Sequence, residues 1–375
     1  MLKGLHLTLM IGPAVPAPAP KEVIESLTSV QVTSSTDRSG FQLSFHVSKK
    51  SPLLTTMLPA GYFDPIVTRV IIIVTVGGVP NVIMDGIITR QEVAPSNEPG
   101  QSTLTVTGED LSVLMDILEM PFMRFPAMPD VARVALILTK YLVFGVVPIT
   151  IPPIFIDVPI PIEEIPSQQG TDLAYVKQLA SQNGYVFYVE PGPLPGSSIA
   201  YWGPDIRIPI PQPALNINMD AHTNVESLSF SLDGLAKKIT VMTILDPVTK
   251  KIPIPVPVPN ISVLRPPLGA RLTPPAKVEF YEYGTKLRIT QALARALGIS
   301  FAASDAISAS GSLDVLRYGQ VLRSRMLVGV RGAGQAYDGL YYVNNVTHNI
   351  KRGEYKQSFN LSRDGLGSLT QKVPT

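Results

Sequence analysis

Apolar and polar residues alternate with a period of two over long parts of this chain. Phe41, Leu43, Phe45 and Val47 alternate with Gln42, Ser44 and His46, the pattern of a strand with one face buried. Val70 to Val76 is an unbroken, β-branched run. It is far shorter than the ~18 residues a membrane helix needs, and it reads as a buried strand. Asp85-Gly86 reads as a turn dipeptide, and Ile87-Ile88 and Thr103-Val106 continue the strands. Residues 23–107 are therefore predicted to be all-β. Near the other end Val346, His348 and Ile350 alternate, Gly353 permits a turn, and Tyr355, Gln357, Phe359 and Leu361 alternate back. That is a hairpin, and its apolar side needs a sheet or a partner to cover it.

The period changes to helical after Thr107. Leu111, Leu114, Met115 and Leu118 fall on one face, with Thr107 and Asp110 placed as a capping box. Asp130 is placed to cap a second helix carrying Val131, Val134, Ala135 and Leu138. A third helix is predicted from about 171 to 183, stopped by Gly184, and a strand follows at 185–189. A fourth is predicted over 286–297, stopped by Gly298. Two segments, 147–161 and 252–259, carry alternating prolines between apolar residues. Such a chain lacks the donors for two-sided pairing. It reads either as an edge strand or as an extended polyproline-type connector.

The two ends of the chain match each other. An apolar strand ending at Val76, then Asp85-Gly86, then the strand to Val106 has a counterpart in the strand ending at Val330, then Asp338-Gly339, then the strand to Leu361. The aspartate follows the first strand by nine residues in one copy (76 to 85) and by eight in the other (330 to 338). The glycine precedes the later strand residue by 20 (86 to 106) and 22 (339 to 361). A duplicated strand unit would give a symmetric assembly twice as many alike positions as chains.

Composition narrows the function class. The 375 residues allow two to three domains. Charged residues make up only 16%, against a usual value of about 25%. This suits a chain whose surface is largely covered by partners. A net charge of +2 gives no argument for nucleic acid or an anionic membrane. With no cysteine, disulfides, thiolate metal sites and cysteine nucleophiles are excluded. The apolar stretch within Met1–Pro20 is broken by His6, Thr8 and Pro13 and has one basic residue, Lys3, which argues against a secretory signal. The four histidines, His6, His46, His222 and His348, are scattered and lie in no hydrolase or metal motif. Asp220 with His222 reads as a surface turn, His348 as a core histidine, Glu163-Glu164 as a solvated turn, and Trp202 as a core or interface anchor. No catalytic, metal or cofactor site is expected.

The C-terminal residues carry a resemblance. Tyr337-Asp338-Gly339-Leu340-Tyr341-Tyr342-Val343, Val346-Thr347-His348 and the run from Gly353-Glu354-Tyr355 to Arg363 are similar to the end of the phage late control D family, the baseplate hub proteins of contractile tails. They also resemble the hub portion of type VI secretion spike proteins. Gln169 to Val176 with Asn183 to Tyr188, and Val106 to Ser112, resemble the family's middle domain and first barrel. The sequence ends at Thr375, soon after this signature, so a hub without a fused needle is expected. The resemblance implies a mainly β, α+β chain with two tube-type antiparallel β-barrels related by duplication. The division expected is 1–107 for the first barrel and 108–214 for an intermediate α/β domain. Residues 215–250 with 318–367 form the second barrel, 251–317 an inserted segment with a proline-rich strand and a helix, and 368–375 a tail. A homotrimer would join a hexameric tail tube to a trimeric spike and touch other baseplate proteins. It would assemble in the bacterial cytoplasm and end in a tail or injection particle, with no nucleic-acid binding and no stable membrane insertion. Structural or interface roles fall to Asp85, Gly86, Trp202, Asp338, Gly339, Tyr341, His348, Gly353, Tyr355 and Phe359. The competing readings are a tail-associated cell-wall hydrolase and a secreted β-rich adhesin.

Overall fold

The computed structural model describes residues 4–36, 38–98, 101–153, 156–162, 165–207, 210–245, 253–258, 266–282 and 305–369. The predicted helix at 286–297 and the Glu163-Glu164 pair lie outside them. The chain is mainly β, and its main sheet has 13 strands.

The first half contains β1 (Leu5–Pro13), β2 (Ala17–Pro18), a short helix α1 (Lys21–Ser26), β3 (Leu27–Ser35), β4 (Gly40–His46), β5 (Thr68–Val76), β6 (Val79–Ala94) and β7 (Thr103–Asp110). They lie in the order β3-β4-β7-β6-β5-β1-β2, all antiparallel. The alternation predicts the faces correctly: Phe41, Leu43 and Phe45 of β4 and Leu104 and Val106 of β7 are buried in one core. The N-terminal apolar stretch is β1, paired along its whole length with β5.

Asp85-Gly86 is not a turn. It sits in the middle of β6, opposite Ile71 and Val70 of β5. The β5–β6 turn is Gly77-Gly78, with φ of 57° and 86°, the doubly positive conformation that a tight hairpin prefers. Gly86 is a glycine because β7 crosses it closely: a Cβ there would lie 2.2 Å from the Glu109 carbonyl oxygen.

The middle unit follows. Leu111–Asp116 is a 3-10 turn rather than an α-helix. Its cap is Asp110, whose carboxylate accepts from the Ser112 N–H at 2.9 Å, while Thr107 remains in β7. Helix α2 (Asp130–Thr139) is preceded by Pro129 in the cap position. The Asp130 carboxylate is instead engaged by Arg133 and by Asn183 of α3. Helix α3 (Asp172–Asn183) is capped by Thr171 and stopped by Gly184 at φ 65°, as the sequence predicts. Between the helices lies β8 (Val146–Thr150), and β9 (Val186–Pro191) and β10 (Ser198–Gly203) follow α3, giving a small sheet in the order β8-β10-β9. Its core includes Trp202, Val134, Leu138, Val176 and Phe187.

The second half contains β11 (Gln212–Asn216), β12 (Val225–Leu232), β13 (Lys238–Leu245), β14 (Pro253–Val258), β15 (Gly269–Leu272), β16 (Lys277–Glu282) and β17 (Ile307–Asp314). A single helical turn, α4 (Val315–Tyr318), then leads to β18 (Leu327–Arg331), β19 (Gly339–Lys351), β20 (Glu354–Arg363) and β21 (Gly365–Ser368). The sheet order here is β12-β17-β20-β19-β18. This is the permutation of β3-β4-β7-β6-β5, with a helical turn between second and third strands in both, Leu53–Met57 in the first half and α4 in the second. The flanking strand differs: β1 runs antiparallel to β5, whereas β11 runs parallel to β18. β17 lies between β12 and β20, so this strand system reaches back to residue 307, within the segment that the sequence suggested was an insertion.

The paired parts of the proline-alternating segments lie at edges, whereas residues 151–153 and 156–162 are in no strand and form a connector. β8 and β14 are each the outer strand of a three-stranded sheet. In β14, Pro253, Pro255 and Pro257 have no N–H, so the inward donors are Ile254, Val256 and Val258. The outer edge then offers carbonyls alone, which blocks pairing with another strand.

Candidate functional site

The two halves are one sheet because β19 pairs along its second part with β3, from Asn345 opposite Ser35 to Lys351 opposite Ser29. The middle unit is fastened to the main sheet by buried arginines, the first of them on β5. Arg69 of β5 donates through Nε and Nη2 to the two carboxylate oxygens of Asp85, both at 2.7 Å. Its Nη2 also reaches the Gly196 carbonyl at 3.1 Å, and the Ser198 hydroxyl donates to Asp85 at 3.0 Å. Arg69 and Asp85 are 5% and 1% exposed. A charge removed from water this completely requires its partner.

A second arginine lies at the seam, its backbone N–H donating to the Val343 carbonyl of β19 at 2.8 Å. Arg325 donates to the Ser35 carbonyl at the end of β3, meets the Glu190 carboxylate at 3.4 Å, and stacks 4.1 Å above the Tyr188 ring of β9. Burial raises the Glu190 carboxyl above its ordinary range, and Arg325 and Arg323 oppose that rise. Arg207 adds a third fastening. It bridges Asp205 at 3.3 Å and Asp305 at 2.8 Å and lies 4.3 Å over the Tyr342 ring, while the Tyr342 hydroxyl donates to Asp205 at 2.9 Å. These contacts tie β3, β9, β19 and the segment before β17 into one joint.

The residues singled out from sequence lie mostly inside the chain. Except for Asp338 and Gly353, all are buried. Trp202 packs edge-on against Tyr185 at 4.9 Å in the middle core. The matched pairs share corresponding strands but have different surroundings. Asp85 holds Arg69, whereas the Asp338 carboxylate accepts from the Ala333 N–H at 2.8 Å just before β19. Gly339 has the expected positive φ, 132°, and Gly353 has φ 82° at the exposed β19–β20 turn. Tyr341 and Phe359 belong to the main core.

His348 and Tyr355 form a pair in that core. The His348 Nδ1 lies 2.7 Å from the Tyr355 hydroxyl and 3.3 Å from Gln357 Nε2. Gln357 Oε1 accepts from the Leu322 N–H, so its Nε2 is the donor. His348 Nδ1 therefore accepts, and the ring is neutral with its proton on Nε2. Burial, with Arg323 nearby, holds its pKa down at about 3. The unfolded chain has an ordinary histidine there, so it binds a proton that the folded chain refuses as pH falls below about 6.5. Stability attributable to His348 is complete above that pH and decreases towards pH 3, by at most about 1.4 kcal/mol per unit. Urea titrations at stepped pH should show a shallower acid loss for His348→Gln than for the native chain. Parallel curves would refute this.

No group of three or more metal-ligating side chains occurs among the described residues. Asp220 and His222 lie in an exposed 3-10 turn. No helix of the described residues is long and apolar enough to cross a membrane. The arginine joint has no sequence signature, because its partners are far apart in the chain.

No family model and no curated relative matches the chain. Solved structures do. A tail protein from Neisseria meningitidis is 13% identical, with a TM-score of 0.63 over 97% of this chain and 98% of its own. The fold is that of phage tail proteins. The 43 kDa tail protein of prophage MuSo2 from Shewanella oneidensis is 14% identical, with a TM-score of 0.61 over 96% and 99%. The E. coli protein c3393, a component of the type VI secretion system with structural similarity to bacteriophage T4 tail proteins, is 10% identical, with a TM-score of 0.50 over 90% and 73%. This agrees with the resemblance carried by residues 337–363.

Proposed function

We propose that the chain is the hub subunit of a contractile phage-tail-like machine. The observation that carries this reading is the repeated five-strand permutation, placed side by side in one sheet through the β3–β19 seam. Such a chain is a duplicated tube unit. Three copies set six alike units around an axis, so one face matches a hexameric tube and the other a trimeric spike. The likeness to tail proteins and to a type VI component supports a structural role in the tail or baseplate. The Asp85–Gly86 and Asp338–Gly339 strands are then corresponding walls of the two units, and β13–β16 form an appendage on the second. The subunit assembles in the bacterial cytoplasm and finishes in the particle, in contact with tube, spike and other baseplate proteins.

Density at the tube–spike junction of assembled particles should be threefold, with each subunit spanning two tube positions. A sixfold ring of this chain, or a clear zone in peptidoglycan zymography of the purified chain, would overturn the reading.

A further inference from the structure

The face of the main sheet turned away from its core is unusual in chemistry. In β17, Ile307, Ala309 and Leu313 face inward, and Ser308, Ser310 and Ser312 face outward. Cross-strand register extends these serines into rungs. One rung runs Ser227–Ser312–Ser358–Thr347–Thr33, across five strands and over the seam between the halves. The next runs Ser229–Ser310–Asn360–Asn345–Ser35. Hydroxyls meet along them: Ser227 and Ser312 at 2.9 Å, Ser229 and Ser310 at 3.0 Å, Thr33 and Thr347 at 3.3 Å. Neither rung has a charged or large apolar residue. Solvent-facing surfaces normally carry charges at about a quarter to a third of positions. Charge begins on the adjoining rung, where Lys356 stands opposite Asp314 and is held by Glu226 at 2.9 Å and Glu354 at 3.3 Å, and the buried Arg325 meets the second rung at the Ser35 backbone carbonyl. The face is also concave, with a trough of about 500 Å³ over β12, β17, β20 and β19.

A concave wall without charge or grease binds nothing strongly. Positive groups would retain nucleic acid through its phosphates. A nucleic acid has one sign of charge, so a wall carrying that sign would let it pass. A polypeptide carries both signs, and a wall charge of either sign holds the opposite sign on the passing chain. An apolar wall would hold its hydrophobic segments. Hydroxyls and amides, satisfied by each other and by water, avoid all three. We propose that this face lines the axial passage of the hub and that the species moving along it is an extended polypeptide of mixed charge. The proposal rests on the hub reading above.

The chain has no cysteine, so Ser358→Cys places a single thiol in the wall as an attachment point. A maleimide–benzophenone cross-linker attached there is photolysed in intact, loaded particles. The expected adduct is with a polypeptide that the same particles release on contraction. Adducts with nucleic acid alone, or with a second copy of this chain alone, overturn the proposal. So does labelling of that thiol on intact particles by a polyethylene-glycol maleimide too large to enter. A second arm uses Ser310→Lys with Ser358→Lys, and Ser310→Asp with Ser358→Asp; Ser310 and Ser358 are exposed, so folding is spared. Released polypeptide should fall about tenfold with either sign at unchanged particle yield, the factor that two or three exposed ion pairs supply together. Loss with one sign alone, or with neither, refutes it. Particle symmetry from the same samples separates the cases: a threefold hub whose introduced thiol lies on the exterior sinks only the passage, whereas a hub of another symmetry sinks the parent reading.

Discussion

Asp85→Leu is expected to destabilise the chain by about 3–5 kcal/mol, read as a lower urea midpoint at unchanged slope. The carboxylate accepts two hydrogen bonds from Arg69 and one from Ser198 in a site closed to water. Removing it leaves the Arg69 guanidinium buried with only two carbonyls, Gly196 at 3.1 Å and Ala14 at 3.4 Å. Most of the loss is the cost of that stranded charge. The double variant Arg69→Met with Asp85→Leu removes the charge as well, so it should recover much of the stability. Losses that simply add would show that the two side chains act separately. The pair joins β5 and β6 to the loop leading into β10, so the single variant should also loosen the middle unit. Hydrogen exchange at Trp202 and its neighbours in β10 should then rise before the β3–β4 pairs open.

The strands were legible because burial on one face forces alternation, and β4, β19 from Val346 to Lys351 and β20 from Glu354 to Leu361 follow it residue by residue. α3 was legible because both its ends have chemical markers, Thr171 and Gly184. Asp85-Gly86 misled for a physical reason. The dipeptide that suits a turn also suits a buried ion pair beside a close backbone crossing, and only the partners Arg69 and Glu109 distinguish these. Gly77-Gly78 was the better turn signal, lying directly between two apolar strands. The arginine joint was not legible. Arg325 and Glu190 are 135 positions apart, and Asp85 and Ser198 are 113 apart. No local pattern records which distant carboxylate a buried arginine will meet. The seam was hidden likewise, since Thr33 and Thr347 are separated by 314 positions and pairing at a sheet edge leaves no periodicity of its own. The serine face was different. Ser227, Ser229 and Ser231, and Ser308, Ser310 and Ser312, alternate openly in the sequence. Their signal was visible, and it lay in which polar residues occupy the outward positions rather than in the fact that they are polar.

Gly339→Ala is expected to cost about 2–4 kcal/mol, from two separate sources. The backbone at φ 132° lies where an L side chain is strained. A Cβ would also stand 2.7 Å from Nη1 of Arg363 and 3.1 Å from Ser368. Arg363 cannot easily give way. It is fully buried, donates to the Asp338 carbonyl at 2.9 Å and the Ala336 carbonyl at 2.8 Å, and lies 4.5 Å over the Tyr341 ring. Displacing it strips its own donors and the Asp338 carbonyl of these bonds, while the Ala336 carbonyl keeps only the Gly367 N–H at 2.9 Å, which is costlier than never having placed the guanidinium there. Arg363→Met in the Gly339→Ala background separates the sources. If collision dominates, the second substitution adds little, because the guanidinium is already displaced. If backbone strain dominates, the two losses add. Either result is read from urea midpoints of the four chains, and an unchanged midpoint for Gly339→Ala alone would show that the corner is not held as described. The corner begins β19, the strand that further along pairs with β3. Its loosening should therefore reduce assembly into particles more than it reduces the folding of the separate middle core around Trp202, which shares no residue with it.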